Sequence, residues 1–174
     1  MTSSTARRTA VKLRRGRRSD LDALAALERE IFASHIFAGH IISRASFRRL
    51  LVSSRAAFIL AQAGGKAGAG RQLAGYVLVL YRANSGVARI YSIGVAARFR
   101  RRGVARLLVR GAEKDARARR RTAMRLEVRA DERGTITLYQ SCGYRSVGRA
   151  LGYYAGVDAL RLEKALGEEP RQRS

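Results

Sequence analysis

A run of arginines around a single glycine, Arg98–Arg106 (RFRRRGVAR), is the segment of this chain best suited to bind an anion. It lies between an apolar run typical of a β-strand and Val104–Ala118, whose apolar residues recur at helical spacing. A helix that begins directly after a strand leaves backbone N–H groups unpaired at the positive end of its dipole. Glycine in such a turn lets a phosphate approach closely. The segment therefore predicts a phosphate site, with solvated surface arginines as the alternative.

A carboxylate and a phenol follow this turn in an order that suits acid–base chemistry. Glu127 lies in MRLEVRA (Met124–Ala130), where apolar and charged residues alternate as in a half-buried strand. Tyr139 lies in the next predicted helix, from about Arg133 to Ser141, so both side chains can border one cleft. A carboxylate can accept a proton and a phenol can donate one. The alternatives are a surface ion pair for Glu127 and core packing for Tyr139.

The elements that must position these residues follow from periodicity and from turn residues. Strands and helices alternate, with antiparallel hairpins before and after, which indicates one mixed sheet with helices on its faces. The predicted strands are Val11–Arg15, residues 56–63, 72–81, 87–97 and 124–130, and two terminal segments near 144–148 and 157–164. The predicted helices run from a capping box at Ser19 and Asp22 to about Phe32, from Ser43 or Ser46 to about Val52, and over residues 104–118 and 133–141.

Composition limits the class of protein. A chain of 174 residues is long enough for one domain with a core. Its 36 Lys and Arg against 13 Asp and Glu give a net charge of +23, which attracts nucleic acid and other polyanions nonspecifically. Arginine far outnumbers lysine and alanine is abundant, as a GC-rich coding sequence would also produce. The charge therefore assigns no partner by itself.

Three features argue against other classes. Cys142 is the only cysteine, so no intramolecular disulfide forms and we expect a cytoplasmic location. The apolar runs are far shorter than the roughly 20 residues that span a bilayer, so we expect no membrane partner. His35 and His40 have no cysteine or carboxylate pattern nearby, and the sequence predicts no metal site.

Three segments resemble the general-control-related N-acetyltransferase (GNAT) superfamily. RRRGVA (Arg100–Ala105) resembles its phosphate loop, in which Gln or Arg is followed by two residues, Gly, one residue, and Gly or Ala. LEVRADERGTITLYQSCGY (Leu126–Tyr144) resembles its fifth strand and following helix. GYYAGVDALRLEKAL (Gly152–Leu166) resembles the closing strand of the protein N-terminal branch, typified by bacterial ribosomal-protein alanine acetyltransferases.

The resemblance implies a single-domain α/β fold. The sheet would be mixed and mostly antiparallel, with about six or seven strands, splayed in the middle and flanked by about four helices. We expect the domain to cover residues 11–166, with a flexible basic tail at 1–10 and a flexible C-terminal tail at 167–174.

The resemblance also implies a cofactor site. Acetyl-CoA would lie between the strands at Ile90–Val95 and Met124–Ala130. Ile93, Gly94 and Val95 would bind the pantetheine arm and the thioester oxygen, and the pyrophosphate would take Arg100, Arg101, Arg102, Gly103, Val104, Ala105 and Arg106. Glu132 stands where the family usually has an asparagine that contacts the cofactor, so the charge there differs.

For the reaction, the resemblance implies Glu127 as general base and Tyr139 as general acid. The implied function is acetyl transfer from acetyl-CoA to a primary amine, in particular the α-amine of a peptide or protein N-terminus, ribosomal proteins included. Two alternatives stay open: acetylation of a small-molecule amine, because a fold does not determine the acceptor, and a non-catalytic basic module that binds RNA or ribosomes.

Overall fold

The structure is a computed structural model that describes residues 10–32, 41–64, 71–154 and 156–167. These residues form seven strands and four α-helices in one sheet-based α/β domain, which confirms the predicted fold class. In chain order the elements are β1 (Val11–Arg15), α1 (Leu21–Phe32), α2 (Arg44–Leu50), β2 (Ala56–Ala63), β3 (Gln72–Tyr81), β4 (Val87–Val95), α3 (Val104–Ala118), β5 (Ala123–Arg129), α4 (Arg133–Ser141), β6 (Arg145–Tyr154) and β7 (Val157–Ala165). His35, His40 and nearly all of the two predicted tails lie outside the described residues.

The strands follow the order β1-β2-β3-β4-β5-β7-β6, and every neighbouring pair is antiparallel except β4 and β5. That parallel pair contains only three residue partners, the last being Arg89 with Arg125. Both strands continue well beyond this point, β4 to Val95 and β5 to Arg129. The sheet therefore splays between its fourth and fifth strands, as predicted.

The helices lie on opposite faces of the sheet. A Cβ placed on Gly75 of β3 would meet Leu108 of α3, whereas the next residue, Tyr76, donates its hydroxyl hydrogen bond to Glu28 of α1. Because successive side chains of a strand point to opposite faces, α1 and α3 cover different faces. We call them the α1 face and the α3 face. Helix α4 shares the α3 face, since Arg106 of α3 donates to Ser141 of α4 at 2.9 Å.

The start of α1 differs from the prediction. A short 3₁₀ turn at Arg18–Asp20 precedes the helix, so the capping box expected at Ser19 and Asp22 is wrong. The carboxylate of Asp20 accepts from the Arg17 amide at 2.7 Å and pairs with Arg14 of β1 at 2.5 Å. The Asp20 carboxylate binds a backbone amide and also the guanidinium of Arg14 in β1. These charge-assisted contacts are stronger than the local cap predicted at Ser19 and Asp22, so the chain adopts them instead.

Candidate active site

The open edge of β4 forms one wall of the splay. Leu78 of β3 pairs with Ser92 and Val79 pairs with Ile90, so Tyr91 is an extra, bulged residue of β4. Beyond Arg89, β4 has β3 as its strand partner and no longer pairs with β5. Strand backbone groups alternate in direction, so the groups of residues 93–95 that point away from β3 face the gap. The segment predicted to bind the pantetheine arm therefore borders the splay.

The turn after β4 presents backbone donors. Gly103 precedes α3 with φ +79°, a left-handed conformation that L side chains rarely adopt. The first amide to bond one turn back is that of Leu107, which donates to the Gly103 carbonyl at 3.0 Å. The amides of Val104, Ala105 and Arg106 precede it and have no acceptor one turn back in the helix. Unpaired donors at the positive end of a helix dipole are the arrangement on which the predicted anion site depends.

The arginine side chains of this turn are exposed, and most of them contact neighbouring residues of the chain. Arg100 donates to the Val95 carbonyl at 3.2 Å, and the Arg102 guanidinium lies 5.9 Å from the centroid of the Phe99 ring. Arg98, at the start of the run, pairs with Glu30 of α1 at 3.1 Å. Arg101 also has a left-handed backbone, with φ +58°. Arg98, Arg100 and Arg102 thus contact other groups of the chain, and the backbone amides before Leu107 remain the predicted donors for an anion.

Glu127 lies two residues beyond the last β4–β5 pair, on the side of the splay opposite β4. Its side chain is 9% exposed and pairs with Arg89 at 2.8 Å and with Arg161 of β7 at 3.5 Å. Arg89 also donates to the Tyr153 hydroxyl at 2.8 Å and lies 5.8 Å from the centroid of the Tyr91 ring. Arg89 therefore connects β4, Glu127 and the end of β6.

These partners of Glu127 are not the ones that its sequence neighbours suggest. The adjacent arginines pair elsewhere: Arg125 with Glu163 at 2.5 Å and Arg129 with Asp131 at 2.6 Å. The roles of Arg89 and Arg161 beside Glu127 were not predicted from the sequence. For Arg89, the signal available in the sequence was that it is the one charged residue of the mainly apolar segment Val87–Val95.

Tyr139 lies on the α3 face. It is buried, and its ring packs edge-on against Tyr144 with centroids 5.6 Å apart. Lys164 of β7 covers the Tyr144 ring at 5.8 Å and pairs with buried Glu113 of α3 at 2.9 Å. Burial, with Glu113 next in effect, raises the pKa of Tyr144 far above its usual range. Through Tyr144 and Lys164, this packing fixes the Tyr139 side chain of α4 relative to α3 and β7.

Glu127 and Tyr139 belong to opposite faces of the sheet. Lys164 of β7 points to the α3 face, because it pairs with Glu113 of α3. Side chains alternate along a strand, so Glu163 and Arg161 point to the α1 face. Glu127 is the direct strand partner of Arg161 and shares its face.

A second polar cluster, which the sequence analysis did not identify, lies beneath α1. Glu28 is 1% exposed and accepts from the Ile42 amide at 2.8 Å and from the Tyr76 hydroxyl. The Tyr76 hydroxyl also contacts the Ser92 hydroxyl at 2.8 Å, next to the bulge in β4. Burial raises the pKa of Glu28 above that of an ordinary carboxyl. The cluster connects the start of the α2 region to the wall of the splay.

A family model described as "Acetyltransferase (GNAT) family" matches residues 22–144, most of the chain. The chain belongs to the GNAT acetyltransferase family. It is an acyl-CoA-dependent N-acetyltransferase, and its co-substrate is acetyl-CoA. A curated relative, the N-alpha-acetyltransferase RimI of Mycobacterium tuberculosis, is 31% identical over 128 residues, which is 71% of this chain and 75% of the relative.

Solved GNAT structures share the fold. The ribosomal-protein-S18-alanine N-acetyltransferase of Escherichia coli superposes with a TM-score of 0.75 at 21% identity, covering 95% of this chain and 99% of that one. NAA60 of Arabidopsis thaliana, solved in complex with acetyl-CoA, gives a TM-score of 0.75 at 20% identity, covering 90% of this chain and 99% of that one.

The residues of this GNAT enzyme fit its co-substrate. A Cβ on Gly103 would meet no atom within 4 Å, so the turn is open, and the donors that precede Leu107 line it. Glu132 is exposed and accepts from Thr135 at 3.0 Å, at the start of α4. Within the described residues, no group of three or more His, Cys, Asp or Glu side chains is placed to hold a metal ion. No helix in the same part of the chain is long and apolar enough to cross a bilayer.

Proposed function

We propose that this enzyme acetylates the α-amine of a peptide or protein N-terminus, with ribosomal proteins among its acceptors. The observation that carries the proposal is the position of Glu127 at the splay, on the α1 face, where its partner Arg89 also contacts the half-exposed side chains of Tyr91 and Tyr153. An open, partly aromatic face next to a carboxylate suits a peptide chain that leads its terminal amine into the gap. The curated relative, named as an N-alpha-acetyltransferase, supports the same acceptor class.

Glu127 acts as the general base in this proposal. The acceptor arrives mostly as an ammonium ion, because an α-amino group has a pKa of about 7.7–8.0. Glu127 accepts one proton from it and leaves a neutral nucleophile. The positive charges of Arg89 and Arg161 disfavour a third positive charge beside them. They therefore lower the pKa of the acceptor amine and favour its neutral form.

Tyr139 acts as the general acid. Its buried ring, fixed by Tyr144, holds a phenolic proton on the α3 face for the departing sulfur. When bound, acetyl-CoA supplies the thioester whose acetyl group is transferred. The β4 segment Ile93–Val95 would bind the pantetheine arm and the thioester oxygen, and the amides and arginines of residues 100–106 would bind the pyrophosphate. Glu132, at the start of α4, would add a negative charge near the thiol end of the bound co-substrate.

Intact-mass analysis of peptides incubated with enzyme and acetyl-CoA tests this function. Each peptide is made with a free or a formylated N-terminus, and each contains one internal lysine. We expect a gain of one acetyl group that requires the free N-terminus. Acetylation of the formylated peptides at lysine, or of spermidine but of no peptide, would contradict the proposal.

A further inference from the structure

The α1 face of β5, β7 and β6 contains an excess of arginine beside Glu127. Strand register places Arg125 of β5 opposite Glu163 of β7, and Glu163 opposite Arg145 of β6. Arg89 of β4 is the register partner of Arg125. Directly paired strand residues share a face, so three arginines and one glutamate form a row across four strands. One step along the strands, Glu127 and Arg161 form the next row.

This face is open to solvent. The side chains of Arg125 and Arg161 are each 39% exposed, and Arg145 is exposed as well. Within the described residues the Arg145 side chain makes no ion pair or hydrogen bond, whereas Glu127 pairs with Arg89 and Arg161 and Glu163 pairs with Arg125. The two rows therefore carry four arginines and two glutamates, and a bound acceptor meets a net positive surface.

An acceptor α-amine at Glu127 brings a further positive charge towards this surface. A negatively charged side chain close behind the amine would offset that repulsion and pair with the free guanidinium, whose planar fork matches a carboxylate. An extended peptide advances about 3.3 Å per residue, and neighbouring strands are about 4.8 Å apart. Arg161 and Arg145 are therefore within reach of the second to fourth residues of an acceptor bound at Glu127.

We infer that this enzyme prefers peptide N-termini with an acidic side chain at positions two to four. The inference rests on the proposed N-terminal acetyltransferase function and adds the acceptor class to it. Guanidinium–carboxylate pairs at exposed sites change affinity modestly, so we expect about a two- to fivefold gain in kcat/KM for each well-placed carboxylate, mainly through KM.

The experiment compares kcat/KM for peptides that differ only at positions two to four, with Glu, Gln or Lys there, at low and high salt. We expect the order Glu, Gln, Lys, with differences that shrink at high salt because the pairs are exposed. Charge reversal by Arg145→Glu should remove most of the preference for Glu over Lys. Arg110→Glu, an exposed residue of α3 that changes the net charge equally, serves as the matched control and should keep the order.

The outcomes separate the two proposals. Acetylation of every N-terminus at equal kcat/KM, or an equal effect of the two variants, would overturn the acidic preference and leave the N-terminal function standing. A preference for the Lys peptides would overturn it too. If none of the peptides is acetylated, both proposals are wrong. Circular dichroism of both variants checks that they fold.

Discussion

Replacement of Arg89 by methionine tests whether Glu127 depends on a cation from the neighbouring strand. The Glu127 side chain is 9% exposed, and its closest ionic partner is Arg89 at 2.8 Å. Removal of one partner of a fully buried pair costs about 3–5 kcal/mol. Arg89 is itself 35% exposed and Arg161 remains at 3.5 Å, so solvent and the second cation reduce the cost. We expect the free energy of unfolding to fall by about 1–2 kcal/mol.

Thermal and urea unfolding measure this change. For a chain of this size, 1–2 kcal/mol corresponds to a decrease in Tm of about 2–8 °C. Arg125→Met is the matched control, because Arg125 forms a pair with Glu163 in which both side chains are more exposed, 39% and 27%. That variant should lose less than about 1 kcal/mol.

A double variant completes the test. When Glu127→Gln is combined with Arg89→Met, the uncompensated charge is gone, so part of the lost stability should return. If Arg89→Met is no more destabilising than Arg125→Met, or if the double variant shows the plain sum of the single effects, Glu127 does not depend on the Arg89 cation.

Three further substitutions address the proposed site. Tyr139→Phe should lower kcat more than tenfold with little change in acetyl-CoA affinity, because protonation of the leaving group belongs to the transition state; an unchanged kcat in steady-state assays would remove Tyr139 from the mechanism. Gly103→Ala should weaken acetyl-CoA binding and lower stability by about 1–2 kcal/mol, since φ is +79° there, and calorimetric titration that finds full affinity would argue against the anion site. Glu28→Gln should gain stability relative to the parent enzyme as pH rises. The raised pKa of Glu28 means that the folded state binds its proton more tightly than the unfolded state, so this carboxyl destabilises the parent progressively from about pH 4.3 up to its raised pKa. Urea unfolding between pH 4 and 7 that shows parallel curves would contradict this.

The local elements could be predicted from the sequence because their causes are local. Helix α3 follows from apolar residues at helical spacing, and β5 follows from strict alternation, with bounds that agree within a residue. The turn at Gly103 was predicted from one glycine between a strand and a helix. The expected start of α1 was wrong because Asp20 instead binds the guanidinium of Arg14 in β1.

The sequence alone indicated the element order and the strand-to-helix turn at Gly103, because the signals for these features lie within a few positions of each other. The splayed α/β fold was expected from the resemblance to the GNAT superfamily. The tertiary structure decided what surrounds Glu127. Arg89 lies 38 positions away in the chain and reaches Glu127 only because β4 and β5 pair in parallel for three residues. The row that ends at Arg145 exists only because β7 lies between β5 and β6. Such contacts depend on strand order and register between distant segments, which local periodicity does not encode.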